Sequence, residues 1–342
     1  MTHQRMTRRT ALASAVAAPL AIGSAASGAT AAPVTEGAAG PRSLRVPAPL
    51  RRGDTVAVVA PSGHVTPASQ RARVLTGIER MKAWGLNVVE GAHLWDSDPT
   101  IGLAGTDEAR ASDLLAAWRD PAVDAVITAR GGYGAQRTLE VMDPKDFRDG
   151  TGKWLAGYSD TTILLSRINA ETGLQSLHGP GVTGIATADP ATLESMRRLL
   201  FGEVEAGEAL LSGLTPWRDG SVEGRLVGGN VTMLATSVAT GDLLSTKGAV
   251  VVLEDVGDAG YVLDRNFTKL RRSGWLDDAE GFVLGDFTMA SSPSDTQVIL
   301  RDRILSLGKP TWAGGSFGHI TANRSLPMGA HVSVAQGSLR LS

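Results

Sequence analysis

Between residues 54 and 173 the chain alternates short apolar runs with segments of helical period. This alternation constrains its fold more than any other feature. "DTVAVVAPSG" (54–63) reads as a buried strand running into a Pro/Gly turn. "SQRARVLTGIERMKAWG" (69–85) has apolar residues at helical spacing and stops at glycine. "LNVVEG" reads as a strand, and "GTDEARASDLLAAWRDP" (105–121) as a helix with an acidic first turn, stopped by Asp-Pro. "VDAVITARGGYG" is a strand running into glycines, "AQRTLEVM" a short helix, "WLAGYSD" a strand and "TTILLSRINAETG" a helix. Strands and helices in this order predict a parallel sheet covered on both faces. Such sheets bind ligands beyond the C-terminal ends of their strands, so "RGGYG" and "GYSD" are expected on the functional edge.

The pattern changes after "QSLHGPGVTG". "DPATLESMRRLLFG" (189–202) reads as a closing helix, followed by a polar, glycine-bearing stretch to about Gly220. Beyond it, "EGRLVGGN" leads into the helix "VTMLATSVATG". The strand "GAVVVLEDV", the helix "YVLDRNFTKLRRSGWL", the strand "GFVLGDF", a helix near "TQVILRDRILSLG" and the stretch "TWAGGSFGHI" follow in turn. The terminal "HVSVAQGSLRLS" alternates like an edge hairpin. No internal repeat is visible. A chain of 342 residues has room for two domains with real cores. The expected division is an N-terminal α/β domain over 46–188, a connecting segment over 189–220 and a C-terminal domain over 221–342.

Residues 1–31 read as a twin-arginine export signal. Arg8 and Arg9 precede a weakly apolar, alanine-rich run that closes on the small-x-small pattern Ala29-Thr30-Ala31. The run is too short to span a bilayer well, and Pro19 interrupts it. Residues 32–45 are a linker on this reading, and the protein is expected outside the cytoplasm, free or facing the cell wall. Removing Arg5, Arg8 and Arg9 leaves 30 basic against 35 acidic residues, a net charge of about −5. With no basic cluster, nucleic acid is not an expected partner.

The chain has no cysteine, which excludes disulfides, zinc–thiolate sites and a cysteine nucleophile. His64, His93, His178, His319 and His331 form no H-x-x-x-H or H-E-x-x-H unit, so no metal is expected. "RGGYGAQR" is a partial dinucleotide loop with Arg137 where the third glycine belongs. Its glycines equally suit close backbone approach to a ligand or an oxyanion.

Gly157-Tyr158-Ser159-Asp160-Thr161 is G-x-S-x-T, one residue from the G-x-S-x-G nucleophile elbow. Ser159 is either a nucleophile or a cap for the helix beginning near Thr161. A serine nucleophile needs a base and the base needs an orienting acid. His178 in "HGPG" and His319 in "GGSFGHITAN" are both candidate bases. Glu254 and Asp255 end the apolar run "VVVL", where a carboxylate is costly without a partner; a salt bridge to Arg265 is the plainer alternative.

Seven blocks in order, "GTDEARASDLLAAWRDP", "ARGGYGAQRTLE", "GYSDTT", "LHGP", "GRLVGGNVTML", "LEDV…Y…DR…KLRRSGWL" and "FGHITANRSLPMG", resemble the LD-carboxypeptidases, peptidase family S66. The resemblance runs from about Val46 to Ser342. It implies an α/β protein with a Rossmann-like N-terminal sheet, a mixed C-terminal domain and an active site in the cleft between them. It implies a Ser159–His319–Glu254 triad and an oxyanion hole from the backbone of Asp160 and of Gly131 or Gly132. Cofactors are not required, and the implied substrate is a murein tetrapeptide that loses its terminal D-alanine. Arg130 is a candidate for holding the substrate carboxylate, and relatives are often homodimers. One departure is Gly-Asp-Ala-Gly (257–260), where many relatives carry Glu-x-Pro before the tyrosine. Rival expectations are an amidase of the same fold acting on peptidyl or aminoacyl nucleotides, a nucleotide-dependent enzyme, and an exported two-domain binding protein without catalysis.

Overall fold

The structure, a computed structural model, describes residues 43–150 and 152–342. The expected export signal and nearly all of the expected linker lie outside these residues.

The first half builds β1 (Thr55–Val59), α1 (Ala68–Ala83), β2 (Asn87–Glu90), α2 (Asp107–Arg119), β3 (Ala125–Thr128), α3 (Ala135–Glu140), β4 (Trp154–Gly157), α4 (Thr162–Thr172) and β5 (Ser176–His178). The five strands are parallel in the order β2-β1-β3-β4-β5, as the alternating pattern predicts. Side chains along β1 show why both faces need cover. Val56 and Val58 pack with Val74, Ile78 and Met81 of α1, while Ala57 and Val59 pack with Leu114 and Trp118 of α2. The order reverses between β1 and β3, and loops after these two strands meet there, the Gly63 N–H donating to the Gly131 carbonyl at 3.2 Å. That crevice is where open α/β sheets hold ligands.

The chain continues through α5 (Val182–Ile185), α6 (Pro190–Leu200), β6 (Ala209–Ser212), β7 (Thr215–Arg218), β8 (Val222–Asn230), α7 (Val231–Ser237), β9 (Ala249–Val256), α8 (Gly260–Arg272), β10 (Gly281–Thr288), α9 (Pro293–Leu300), β11 (Thr311–Ala313), β12 (Leu326–Met328), β13 (His331–Ala335) and β14 (Ser338–Leu341). A second sheet has the order β6-β14-β13-β8-β9-β10-β11-β7. Its centre, β8 to β11, is parallel, and its flanks are antiparallel. Helices α7, α8 and α9 cover one face through Leu234, Phe267 and Leu300.

Three features differ from the sequence reading. The stretch 203–220, read as connecting polypeptide, supplies β6 and β7, both edges of the second sheet. Edge strands are half solvated, so their apolar pattern is weak. The terminal hairpin β13–β14 forms around Gln336 and Gly337, both at positive φ, yet β6 pairs with β14 and keeps it from being an edge. The third feature is β12. It pairs antiparallel with β5 of the first sheet, Leu326 opposite His178. Its side chains Leu326 and Met328 pack instead with Val250, Val252 and Trp312 of the second sheet. One short strand therefore joins the two sheets, backbone to one and side chains to the other.

Leu326 is fully buried at this junction. Leu326→Ala is expected to lower the unfolding free energy by about 3 kcal/mol, read by urea denaturation. A loss below about 1 kcal/mol would mean that β12 is not a structural joint.

Candidate active site

Ser159 follows β4 directly and opens a single 3₁₀ turn, Ser159–Thr161, that feeds α4. Its φ is 64°, in the left-handed region where a residue with Cβ carries strain of about 1–3 kcal/mol. Its side chain caps nothing: neither the turn nor α4 has a side-chain cap bond at its N-terminus. Ser159 Oγ instead lies 3.0 Å from His319 Nε2. The helix-cap reading is thereby removed. The bend holds a hydroxyl out from the end of the strand.

The glycine loop after β3 lies against this hydroxyl. A Cβ on Gly131 would sit 2.7 Å from Ser159 Cβ, 3.0 Å from its Oγ and 3.1 Å from the Asp160 amide nitrogen. Only glycine permits that approach, and it brings the Gly131 backbone and the Asp160 N–H to one side of Ser159. Gly132 faces elsewhere, toward Gly63 and the Arg130 guanidinium.

His319 comes from the loop after β11, and Glu254 from the end of β9. His319 Nδ1 lies 2.7 Å from Glu254 Oε2, and the glutamate is fully buried while the imidazole is 17 % exposed. Gly318 makes the contact possible: at φ 111° it lays the loop on Glu254, where a Cβ would stand 3.0 Å from Oε2. The Asn323 side chain accepts from the Gly318 N–H at 3.0 Å and pins the loop. Glu254 is not salt-bridged to Arg265, whose guanidinium stacks 5.2 Å from the Tyr261 ring centre. Of the two sequence candidates for each role, the structure joins His319 and Glu254 to Ser159.

Comparison with known proteins gives the family. The LD-carboxypeptidase N-terminal domain matches residues 56–179, and the LD-carboxypeptidase C-terminal domain matches residues 223–334. The chain belongs to the LD-carboxypeptidase family. A carboxypeptidase homologue of Streptomyces coelicolor, SCO6489, is 38 % identical over 304 residues, covering 88 % of this chain and 97 % of its own. The murein tetrapeptide carboxypeptidase of Pseudomonas aeruginosa is 33 % identical over 242 residues, 66 % of this chain and 77 % of its own. A crystal structure of muramoyltetrapeptide carboxypeptidase from Oxalobacter formigenes superposes with a TM-score of 0.71 at 26 % identity, covering 84 % of this chain and 97 % of that one.

The remaining groups of this LD-carboxypeptidase have distinct local duties. Asp160 turns its carboxylate away from the serine and accepts from the Ala135 N–H at 2.7 Å, tying the elbow to the start of α3. Burial raises its pKa. Asp255 bonds to neither Ser159 nor His319. It accepts from Asn230 Nδ2 and from Thr232 Oγ1, each at 3.0 Å, and burial pushes it up to about 6. His178 is fully buried, which lowers its pKa to about 4 and keeps it neutral. Its ring packs edge-on to Tyr158 and Phe317, and Tyr158 packs 4.9 Å from His319. Burial and the charge of Glu254 push the Tyr158 phenol up to about 12. Arg130 donates to the His64 carbonyl at 3.2 Å, and no carboxylate among the described residues pairs with it. Among the described residues no group of His, Cys, Asp or Glu is placed to hold a metal, and no helix is long and apolar enough to cross a membrane.

The sequence reading missed Asn323 and Tyr158. Asn323 carries no signal beyond standing four residues after His319, and Tyr158 none beyond adjoining the serine.

Asp255 gives a pH prediction. Its folded pKa of about 6 lies above the usual carboxylate value, so the fold binds a proton that the unfolded chain releases. Its contribution to stability is full at low pH and is lost as pH rises through about 4 to 6. Asp255→Asn removes that loss. The stability of the variant relative to the parent should grow by about 2–3 kcal/mol from pH 4 to pH 7, read from urea midpoints. Parallel pH curves for the two proteins would refute it.

Proposed function

We propose that this protein is a serine-type LD-carboxypeptidase that hydrolyses the amide between an L-centre and a terminal D-amino acid, releasing D-alanine from murein tetrapeptides. The observation that carries this reading is the chain of contacts from a left-handed Ser159 to His319 Nε2 at 3.0 Å, and from His319 Nδ1 to buried Glu254 at 2.7 Å. The names of the Pseudomonas aeruginosa and Oxalobacter formigenes relatives support the substrate class. The twin-arginine pattern in residues 1–31 supports action outside the cytoplasm.

Ser159 Oγ attacks the amide carbonyl as His319 Nε2 takes its proton. Glu254 keeps the proton of His319 on Nδ1 in the resting state and stabilises the imidazolium that forms, remaining ionised itself. The oxyanion takes hydrogen bonds from the Asp160 N–H and a glycine-loop N–H, Gly131 or Gly132, each contributing about 3 kcal/mol. Gly131 is favoured because it lies against Ser159. His319 then protonates the leaving amine. The freed D-amino acid departs, and a water, deprotonated by the same imidazole, releases the acyl group from Ser159. Arg130, charged and without a carboxylate partner among the described residues, meets the terminal carboxylate of the substrate.

The test is mass spectrometry of murein tetrapeptides incubated with the parent and Ser159→Ala. Loss of one D-alanine with the parent, slowed about 10⁴-fold or more in the variant, is the expected result. Faster cleavage of an aminoacyl-adenylate analogue than of tetrapeptide would reassign the substrate, and turnover retained by Ser159→Ala would overturn the mechanism. Arg130→Ala should raise KM about tenfold or more with a smaller change in kcat. An unchanged KM would remove Arg130 from carboxylate binding.

A further inference from the structure

We propose that the Asp160 carboxylate is a positioning group for catalysis, holding the glycine loop so that both oxyanion donors stay on one side of Ser159. The inference rests on the catalytic reading above, because it takes the Asp160 and Gly131 N–H groups as the oxyanion hole.

The argument begins with the two donors. Neither the Asp160 N–H nor the Gly131 N–H has an acceptor among the described residues. Both stand beside the nucleophile: a Cβ on Gly131 would lie 3.0 Å from Ser159 Oγ and 3.1 Å from the Asp160 amide nitrogen. Free backbone amides at a nucleophile suit a charge that exists only in the transition state. They come from separate segments, however. Asp160 belongs to the bend after β4, and Gly131 to the loop between β3 and α3. Two donors to one oxyanion must keep their spacing, and a glycine-rich loop does not keep it unaided.

The Asp160 side chain supplies the tie. Helix α3 begins at Ala135, and its N-cap is Gly134, which has no side chain to cap with. A side chain has no room there: φ is 131°, and a Cβ would stand 2.7 Å from Leu103 Cδ2. The missing cap comes from Asp160, whose Oδ2 accepts from the Ala135 N–H at 2.7 Å. Asp160 and Ala135 are both buried, so water is poorly placed to replace this bond. At the other end of the loop, the Gly131 carbonyl takes the Gly63 N–H at 3.2 Å. The Thr138 hydroxyl fixes α3 from behind by donating to the Pro61 carbonyl at 2.7 Å. One residue therefore gives the first donor through its backbone and fixes the second through its carboxylate. A loosened loop would lose the second donor and leave the contacts among Ser159, His319 and Glu254 in place, because none of the three comes from that loop. The loss would fall on the transition state and spare substrate binding.

Asp160→Ala removes the tie. Its kcat on murein tetrapeptide is expected to fall about 10²-fold, the loss that goes with one oxyanion donor, with KM within about threefold of the parent. Asp160→Asn keeps an acceptor for Ala135 and should hold kcat within about threefold. Amide exchange read by NMR should find the Ala135 N–H protected in the parent and in Asp160→Asn, and unprotected in Asp160→Ala. In every folded variant, kcat and the Ala135 protection should be kept or lost together, and either one without the other would overturn the proposal. Should Asp160→Ala not fold, Asp160→Asn is judged alone by that same rule. Labelling of Ser159 by a fluorophosphonate, read by intact-protein mass spectrometry, uses the same donors without the peptide and should slow in the same order. If labelling follows that order while the parent releases no D-alanine, the substrate reading fails and the positioning role stands. If the parent releases D-alanine while Asp160→Ala labels and turns over at the parental rate, the positioning role fails and the substrate reading stands.

Discussion

The buried contact between Glu254 and His319 is the constraint on which the rest of the site depends. A fully buried carboxylate at the end of β9 is costly unless a donor reaches it. The donor arrives on a loop 65 residues later, and only because Gly318 has no Cβ to strike the glutamate. Once that pair is made, the outer nitrogen of His319 has one direction left, toward Ser159. The strained backbone at Ser159 belongs to the same arrangement, since a relaxed helix cap would turn the hydroxyl toward the amides of α4.

Holding three side chains from two sheets at hydrogen-bond distance requires the sheets to act as one body. Strand β12 supplies the main joint, with its backbone in the first sheet and its side chains in the core of the second. Two smaller ties lie near the serine. The Asn230 N–H donates to Thr162 Oγ1 at 3.2 Å, and Gln136 Nε2 donates to Thr236 and Ser237, each at 3.0 Å. Asn230 is also the strand partner of Glu254. The elements that carry Glu254 and Ser159 therefore touch independently of the contacts that His319 makes with both.

Much of the first sheet was legible along the chain. The buried runs at β1, β3 and β4 and the helical spacing of α1, α2 and α4 appear where the residues predict them. Period is a local property, and burial on both faces makes it strong. The edge strands β6 and β7 were not legible because solvent on one side dilutes their pattern. β12 was not legible because three residues carry no period at all. The site divided similarly. A serine at a strand-to-helix bend was visible, as were two histidines and an acidic pair, but choosing between His178 and His319 from spacing alone was impossible.

By itself, the sequence determined the layered α/β architecture, the absence of thiol chemistry and the position of Ser159 at a strand end, because each follows from composition or from neighbours a few residues away. Its motifs, taken together, also determined the family. The family resemblance implied His319 and Glu254 as the partners of Ser159, where local spacing could not choose; only the tertiary structure shows the three side chains in contact. Residues 159, 254 and 319 share no local period. Their meeting depends on how the strands of two sheets cross, and that is set by long-range packing.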